Sequence, residues 1–465
     1  AFFIAYCCAM EVYWSFRRIG LPPGSLGIPI LGEMPNIAVL GLMDFLIQKA
    51  ERYKDVFLTH ILFKPQVAVV SDESMMWLLK QERQESIKQN WPSHVKALVG
   101  PAAVTNQDGA YHKALRRWMD PVFTMDAIQS YFKGVDNVVK KHLASFASTG
   151  DFINNKALKK LALSLLVTSV FNREDEKELE LLDGLLSTWF GGFVGMLQVE
   201  SLPWTNYAKA HKARRELVDI MLGWIDEFRN DKSIPNKEHL LLGRLLSSKR
   251  EDGTSFSTTD LTDNLVNILF AGHDTTYATV STMLYLLNEH QDVWHALCKE
   301  VRGFPSDMEY QTLQKAPVVN AVLDETFRVH PSVYGSNRKA AKSLRFKDYT
   351  IPPGFELTYA VAPEGQLCPS PREFHIERFL PADHEFVKKS KWMASVANGI
   401  KLGPTKFRPF GGGVHMCMGM QFARMEARVI LARLAQSYDL EIRNAKHQFI
   451  PFELWSHEFK LTPRS

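Results

Sequence analysis

The chain has 465 residues, of which 46% are hydrophobic and 23% charged, with a net charge of +4. That length can bury a large core, and the charge is too weak and too diffuse to make nucleic acid the main partner. Five cysteines in such a length exclude a disulfide framework and fit thiols kept reduced on the cytosolic side of a membrane.

The first 14 residues, AFFIAYCCAMEVYW, are apolar apart from Glu11, and SFRRIG follows. A full span needs about 20 apolar residues, so residues 1–18 read as the remnant of a membrane anchor. Arg17 and Arg18 would then lie on the cytosolic side; an ordinary buried helix is the other reading. Residues 19–30 carry Pro22, Pro23 and Pro29 with Gly24 and Gly27, which cannot continue a helix. They predict a stiff hinge ahead of a globular body, residues 31–465. VFLTHILFKPQVAVVSD, residues 56–72, alternates loosely and predicts a two-stranded hairpin. From about Glu73 to Asn320 apolar residues recur at spacings of three and four, which predicts mostly helix.

Within that region KREDGTSFSTTD, residues 249–260, is a loop. Ser257 and Asp260 make a capping box for a long apolar helix from about Thr259 to Glu289. Beyond Pro331 the character changes. LRFKDYTIPPGFELTYAVA reads as short strands and CPSPREFHIERFLPAD as irregular coil. A last helix runs from about Met418 to Ser437, and strand-like segments close the chain. The fold class is mainly α with a minor β region, one large helix-rich domain.

Cys417 stands in FRPFGGGVHMCMGMQFARME, residues 407–426. A thiolate ligates soft or borderline metals. No CxxC pair accompanies it, so a zinc or iron–sulfur site needing about four ligands does not fit. An axial thiolate to heme iron needs only one cysteine. Gly411, Gly412 and Gly413 would let the backbone approach a flat macrocycle and take positive φ. Phe410 can pack beside the cysteine, and the helix start after Cys417 favours an anion. Gly419 removes a side chain where the new helix passes the ring. A buried structural cysteine in a glycine-rich turn is the alternative.

FGGGVHMCMG closely resembles the heme-binding loop of the cytochrome P-450 superfamily, F-x-x-G-x-[RH]-x-C-x-G. The resemblance implies a helix-rich fold enclosing heme b, with Cys417 as the metal ligand. AGHDTT, residues 271–276, lies mid-helix, where Asp274 and Thr275 are poor interior residues. Read alone it is a polar stripe or a bend. The resemblance makes it the oxygen-activation segment, where the helix opens locally, Thr275 orients dioxygen and a water, and Asp274 relays protons.

In LDETFRVHP, Glu325 and Arg328 share a helix face at i, i+3. Alone they are a commonplace surface pair. The resemblance makes them the buried E-x-x-R pair, a structural device with Arg378 of FHIERF as third member. Ile376 stands where many relatives have proline. His112 and Arg116, at i, i+4, match partners of the heme propionates, as do Arg338 and His415. Histidine at position 112, where many relatives carry tryptophan, looks like the branch that hydroxylates retinoids, sterols and plant steroid hormones. The cofactor-binding set so implied is Cys417, Phe410, Gly411, His112, Arg116, Arg338 and His415.

The implied reaction inserts one atom of dioxygen into a lipophilic substrate, sterol-, retinoid- or terpenoid-like, and releases the other as water. No flavin or nicotinamide fingerprint is present, so electrons are expected from an NADPH-dependent reductase. Lys113, Arg117, Lys406, Arg408 and Arg424 would form its docking face, or are scattered surface charge. Pocket walls are expected from residues 95–109, from Phe270 and Ala271, from Val333 and Tyr334, and from FELWSH with Leu454. LSTWFGGFVGMLQVESLPW would be the roof. The protein is expected as a monomer on the endoplasmic reticulum membrane or in a plastid, its catalytic domain cytosolic. Two rivals remain. One is a heme-thiolate isomerase or dehydratase of lipid hydroperoxides that needs no reductase; the other is a non-enzymatic heme sensor. The intact pair Asp274 and Thr275 favours the monooxygenase.

Overall fold

The computed structural model describes residues 20–28, 31–61, 64–193, 198–234, 236–250, 253–333, 335–360, 370, 372–396, 408–448 and 454–464. Residues 1–18, with the expected anchor remnant, and Tyr334 and Lys406 lie outside the described residues. The architecture is mainly α with small sheets. Two compact units are present: Ala1–Trp91 with Val333–Glu373 and Asn398–Cys417, and Pro92–Ser332 with Phe374–Ala397 and Met418–Ser465.

The first unit is built on a five-stranded sheet. Its strands are β1 (Val56–Ile61), β2 (Lys64–Val69), β3 (Ile87–Gln89), β4 (Gly335–Ala340) and β5 (Glu356–Ala360). Their spatial order is β1-β2-β5-β4-β3. β1 and β2 form the expected hairpin, with Val56 opposite Val69. β2 then pairs in parallel with β5, Gln66 opposite Glu356. β3 lies antiparallel to β4, with Gln89 opposite Arg338. Helix α1 (Asp72–Arg83) starts in a capping box at Ser71. It buries Met75, Leu78 and Leu79 against Val67, Val69, Leu357 and Tyr359. Residues 20–28 of the expected hinge are docked on this unit: Leu58 N donates to Pro23 O at 2.9 Å, Thr350 N to Gly20 O at 2.7 Å, and Leu21 is buried. Proline removes donors, but its carbonyl still accepts, and here it is an edge strand that supplies the N–H.

The second unit is helical. Its main helices are α2 (Gly109–Phe123), α3 (Met125–Ser148), α4 (Lys156–Phe171), α5 (Glu176–Gly191), α6 (Asn206–Asn230), α7 (Thr258–Glu289), α8 (Pro317–Val329) and α9 (Met420–Ser437). Strands β6 (Tyr438–Gln448) and β7 (Leu454–Pro463) pair antiparallel beside Ile153–Asn154. The predicted capping box is formed at the start of α7: Ser257 Oγ accepts from Asp260 N, and Asp260 accepts from Ser257 N. α7 is buried nearly all round, as a central helix must be. Its polar residues therefore need partners. Asn264 takes the 95–109 segment, accepting from Val104 N at 2.8 Å and donating to Ala102 O at 2.9 Å. α9 is held to α3 by a buried bidentate pair, Arg433 to Asp136, at 2.6 and 2.9 Å.

Candidate active site

The cysteine loop belongs to the sheet unit. Cys417 N donates to Phe410 O at 3.0 Å and Gly411 N to Arg408 O at 3.0 Å, closing the loop, while Arg408 is moored to Asp72 at 2.6 Å. The Cys417 side chain is exposed, three positions before α9 begins at Met420. Phe410 is half-buried. Gly411 and Gly413 have φ of 73° and 68°, which L side chains rarely take. The expectation of positive φ at all three glycines is corrected at Gly412, which is extended at φ −166°. It is small for want of space: a Cβ there would lie 2.8 Å from Leu79 Cδ1.

Arg338 is only 2% exposed. Its Nε donates to Glu82 Oε1 at 2.8 Å, and its Nη1 to Ser336 Oγ at 2.6 Å and Asn337 O at 3.1 Å. The guanidinium sits over the Tyr359 ring at 5.3 Å. His415 Nε2 is 3.9 Å from Glu82 Oε1. Sequence reasoning named Arg338 and His415 but missed Glu82, which stands 256 positions before Arg338. A signal was there: Met75, Leu78, Leu79 and Glu82 follow one helical face, so a carboxylate shares the apolar stripe. A cysteine at a helix start, a loop with three consecutive glycines, and a guanidinium and an imidazole that both lie near Glu82 form a donor set that suits an anionic, thiolate-ligated heme. The residues fit that group.

The AGHDTT segment lies in the helical unit. α7 runs unbroken through it, so the expected local opening is not seen. Thr275 Oγ1 instead donates to Ala271 O at 2.5 Å, meeting the hydroxyl's need within the helix. Asp274 is 8% exposed. Burial pushes its carboxyl up from the usual range, and Lys159 pulls it back. Lys159 Nζ, on α4, lies 3.2 Å from Asp274 Oδ1, 3.6 Å from Asp183 Oδ1 on α5, and 3.1 Å from Ser187 Oγ. The Asp183 side chain is 45% exposed. One ammonium thus links a buried carboxyl to a solvated one, a connection between helices that no local motif marks. His273 is wholly buried and burial lowers it to about 3, so its imidazole is neutral.

Glu426 on α9 was also missed. Thr276 Oγ1 donates to its Oε2 at 3.1 Å, and Oε1 has no partner among the described residues. Complete burial pushes this carboxyl far up, the Thr276 hydrogen bond opposing. The folded state then holds a proton that the unfolded chain releases from about pH 4 upward. Stability from this group is therefore present at low pH and lost as pH rises towards the folded value. Glu426→Gln should remove that loss: the gap between variant and parent urea midpoints widens from pH 5 to 8 in the variant's favour. Parallel profiles would contradict it.

The E-x-x-R pair is buried. Glu325 accepts from Arg328 Nε at 2.6 Å and Nη2 at 2.7 Å, from Arg378 Nε at 3.1 Å and from His375 N at 2.7 Å. Ile376 opens the 3-10 turn Ile376–Phe379 and is wholly buried, so apolar burial seats the turn without proline. His112, buried, and Arg116, half-buried, share one face of α2. Phe270 meets Trp189 at 5.2 Å and Phe190 and Phe193 at 5.3 Å, an aromatic cluster one residue before the exposed Ala271. Trp189 is wholly buried, its Nε1 donating to Leu98 O at 3.0 Å. Leu454 is buried and Val333 exposed. Of the expected docking residues, Lys113 and Arg117 are exposed. Arg408 and Arg424 are half-buried and paired with Asp72 and Asp324, which offsets their charge.

The family model described as Cytochrome P450 matches residues 22–464. The chain is 28% identical over 432 residues to "Putative cytochrome P450 120" of Synechocystis sp., covering 91% of this chain and 92% of that one. It is 26% identical over 442 residues to the abscisic acid 8'-hydroxylase 2 of Arabidopsis thaliana, covering 93% and 86%. The solved structure titled "Retinoic acid bound cyanobacterial CYP120A1" matches with a TM-score of 0.80 at 26% identity, over 96% of this chain and 99% of that one. From the docked prolines to the final strand, the chain belongs to the cytochrome P450 family.

Proposed function

We propose that this monooxygenase hydroxylates a lipophilic isoprenoid, a sterol, retinoid or terpenoid, using electrons from an NADPH-dependent reductase. Heme with a cysteine thiolate is the family's cofactor, and when bound it supplies the activation of dioxygen. Cys417 would hold its iron; Arg338, His415, His112 and Arg116 would hold its propionates, with Phe410 and Gly411 beside the cysteine. The observation that carries the substrate class is the aromatic cluster that Trp189, Phe190 and Phe193 form around Phe270, the residue before Ala271. Phe270 brings this apolar surface to the helix that carries Asp274 and Thr275, while Trp189 and Phe190 come from α5. The names of the relatives support it, since they act on or bind abscisic acid, taxanes and retinoic acid.

Thr275 would exchange its Ala271 carbonyl for a water, and Asp274 would pass protons on with Lys159 as its link to Asp183. Residues 1–18 would tether a monomer to the endoplasmic reticulum membrane with this body on the cytosolic side. Among the described residues no helix is long and apolar enough to cross a membrane.

Spectral binding followed by product analysis with retinoids, sterols and terpenoids tests the substrate class. A hydroxylated product carrying one atom from labelled dioxygen is expected. Turnover confined to polar compounds would overturn it. Thr275→Ala is expected to lower product per NADPH by about a hundredfold, the low end of what one positioned proton-handling group contributes, with peroxide making up the difference. Unchanged coupling would remove Thr275 from this role.

A further inference from the structure

We propose that Glu82 is a positioning residue for the anionic edge of the heme: its carboxylate aims the Arg338 guanidinium, and its charge weighs on the reduction potential of the bound cofactor. The inference rests on the heme-thiolate reading above.

All the groups involved lie within the sheet unit. Glu82 and Arg338 have side chains 4% and 2% exposed. A buried pair of this kind is costly unless every lone pair and proton is met. Here they are not. Glu82 Oε1 takes Arg338 Nε, but Oε2 is buried with no hydrogen-bond partner among the described residues. That oxygen lies against Gly413, where a Cβ would collide with it. The turn that leads to Cys417 is therefore seated on a carboxylate. His415 Nε2 is 3.9 Å from Oε1, too far for a hydrogen bond and close enough to feel the charge.

The guanidinium is fixed on most sides. Nε goes to Glu82, Nη1 to Ser336 Oγ and Asn337 O, and the Tyr359 ring covers one face. The bonds to Glu82, Ser336 and Asn337 leave Nη2 unused, and the buried Tyr359 hydroxyl is the one further group in reach of the guanidinium among the described residues. A guanidinium held in this way presents one edge to a further anion, in the planar geometry that suits a carboxylate. A latch between α1 and β4 would need only the Nε bond. It would not need an orphaned oxygen under the cysteine turn. A second carboxylate arriving at Nη2 must share one positive charge with Glu82, so the two carboxylates and the one guanidinium together carry net negative charge. That charge favours the oxidised state.

The test uses the purified heme-bound protein, its carbon-monoxide difference spectrum recorded first. Glu82→Gln keeps an oxygen for Arg338 Nε and removes the charge. Its reduction potential is expected to move to more positive values, with heme transfer to excess apomyoglobin within about twofold of the parent. Glu82→Ala also removes the hydrogen bond to a charged group, so heme release is expected to quicken by about tenfold or more, and Glu82→Asp to restore both readings in part. A structural latch alone would lower unfolding midpoints and leave the potential of Glu82→Gln unmoved; an unmoved potential overturns the proposal. If Glu82→Ala does not fold, the Gln and Asp variants decide on potential alone. A parent without a thiolate spectrum overturns the cysteine assignment together with this inference; a normal spectrum with unmoved variants overturns this inference only.

Discussion

Glu325→Ala is expected to leave little or no folded protein. The carboxylate is wholly buried and accepts from Arg328 twice, from Arg378 and from the His375 backbone. Without it two guanidinium groups stay buried with their shared anion gone. Breaking a buried ion pair costs about 3–5 kcal/mol, and two cations depend on this one. Whole-protein stabilities are about 5–15 kcal/mol, so the loss takes a large share. Glu325→Gln should fall between, since its amide oxygen still accepts while its NH2 faces donors. Soluble yield and guanidinium unfolding midpoints measure the effect. A loss under about 1 kcal/mol, the size of a surface pair, would show that the triad does not hold the 374–379 segment in place.

Cys417→Ala is expected to separate fold from cofactor. The side chain is exposed, and the loop is closed by backbone bonds from Cys417 N and Gly411 N that alanine keeps. The cofactor-less variant should therefore unfold within about 0.5 kcal/mol of the cofactor-less parent, as surface substitutions do. Its heme-to-protein ratio after purification should fall to near zero, because no other thiol on that loop can replace the ligand. Heme content equal to the parent's would take the ligand role from Cys417, whatever the unfolding curves show.

Local patterns made much of this molecule legible. The Ser257–Asp260 box and the run of apolar residues behind it mark α7 because both act within a few residues. The β1–β2 hairpin is equally local. Glu325 and Arg328 could be paired from spacing, but their burial could not, since i, i+3 describes a helix face and not what covers it. The missed residues share one property. Glu82, Lys159, Asp183 and Glu426 act on groups carried by other elements, and only the topology brings them there. The docking of the proline-rich stretch is non-local in the same way. Pro23 was read for the donor it lacks, while its carbonyl is what Leu58 uses.

The parallel seam between β2 and β5 has a cost in time. Lys64 and Glu356, which meet at that seam, are 292 positions apart. At a synthesis rate of about 5–20 residues per second the ribosome needs roughly 15–60 s to bridge that interval. For that period Val67, Ala68 and Val69 present an unfilled edge of apolar residues, a template that neighbouring nascent chains can occupy. The outer edge of β1 meets the upstream Pro23, but β2 gains its native neighbour only once residues 356–359 have been made.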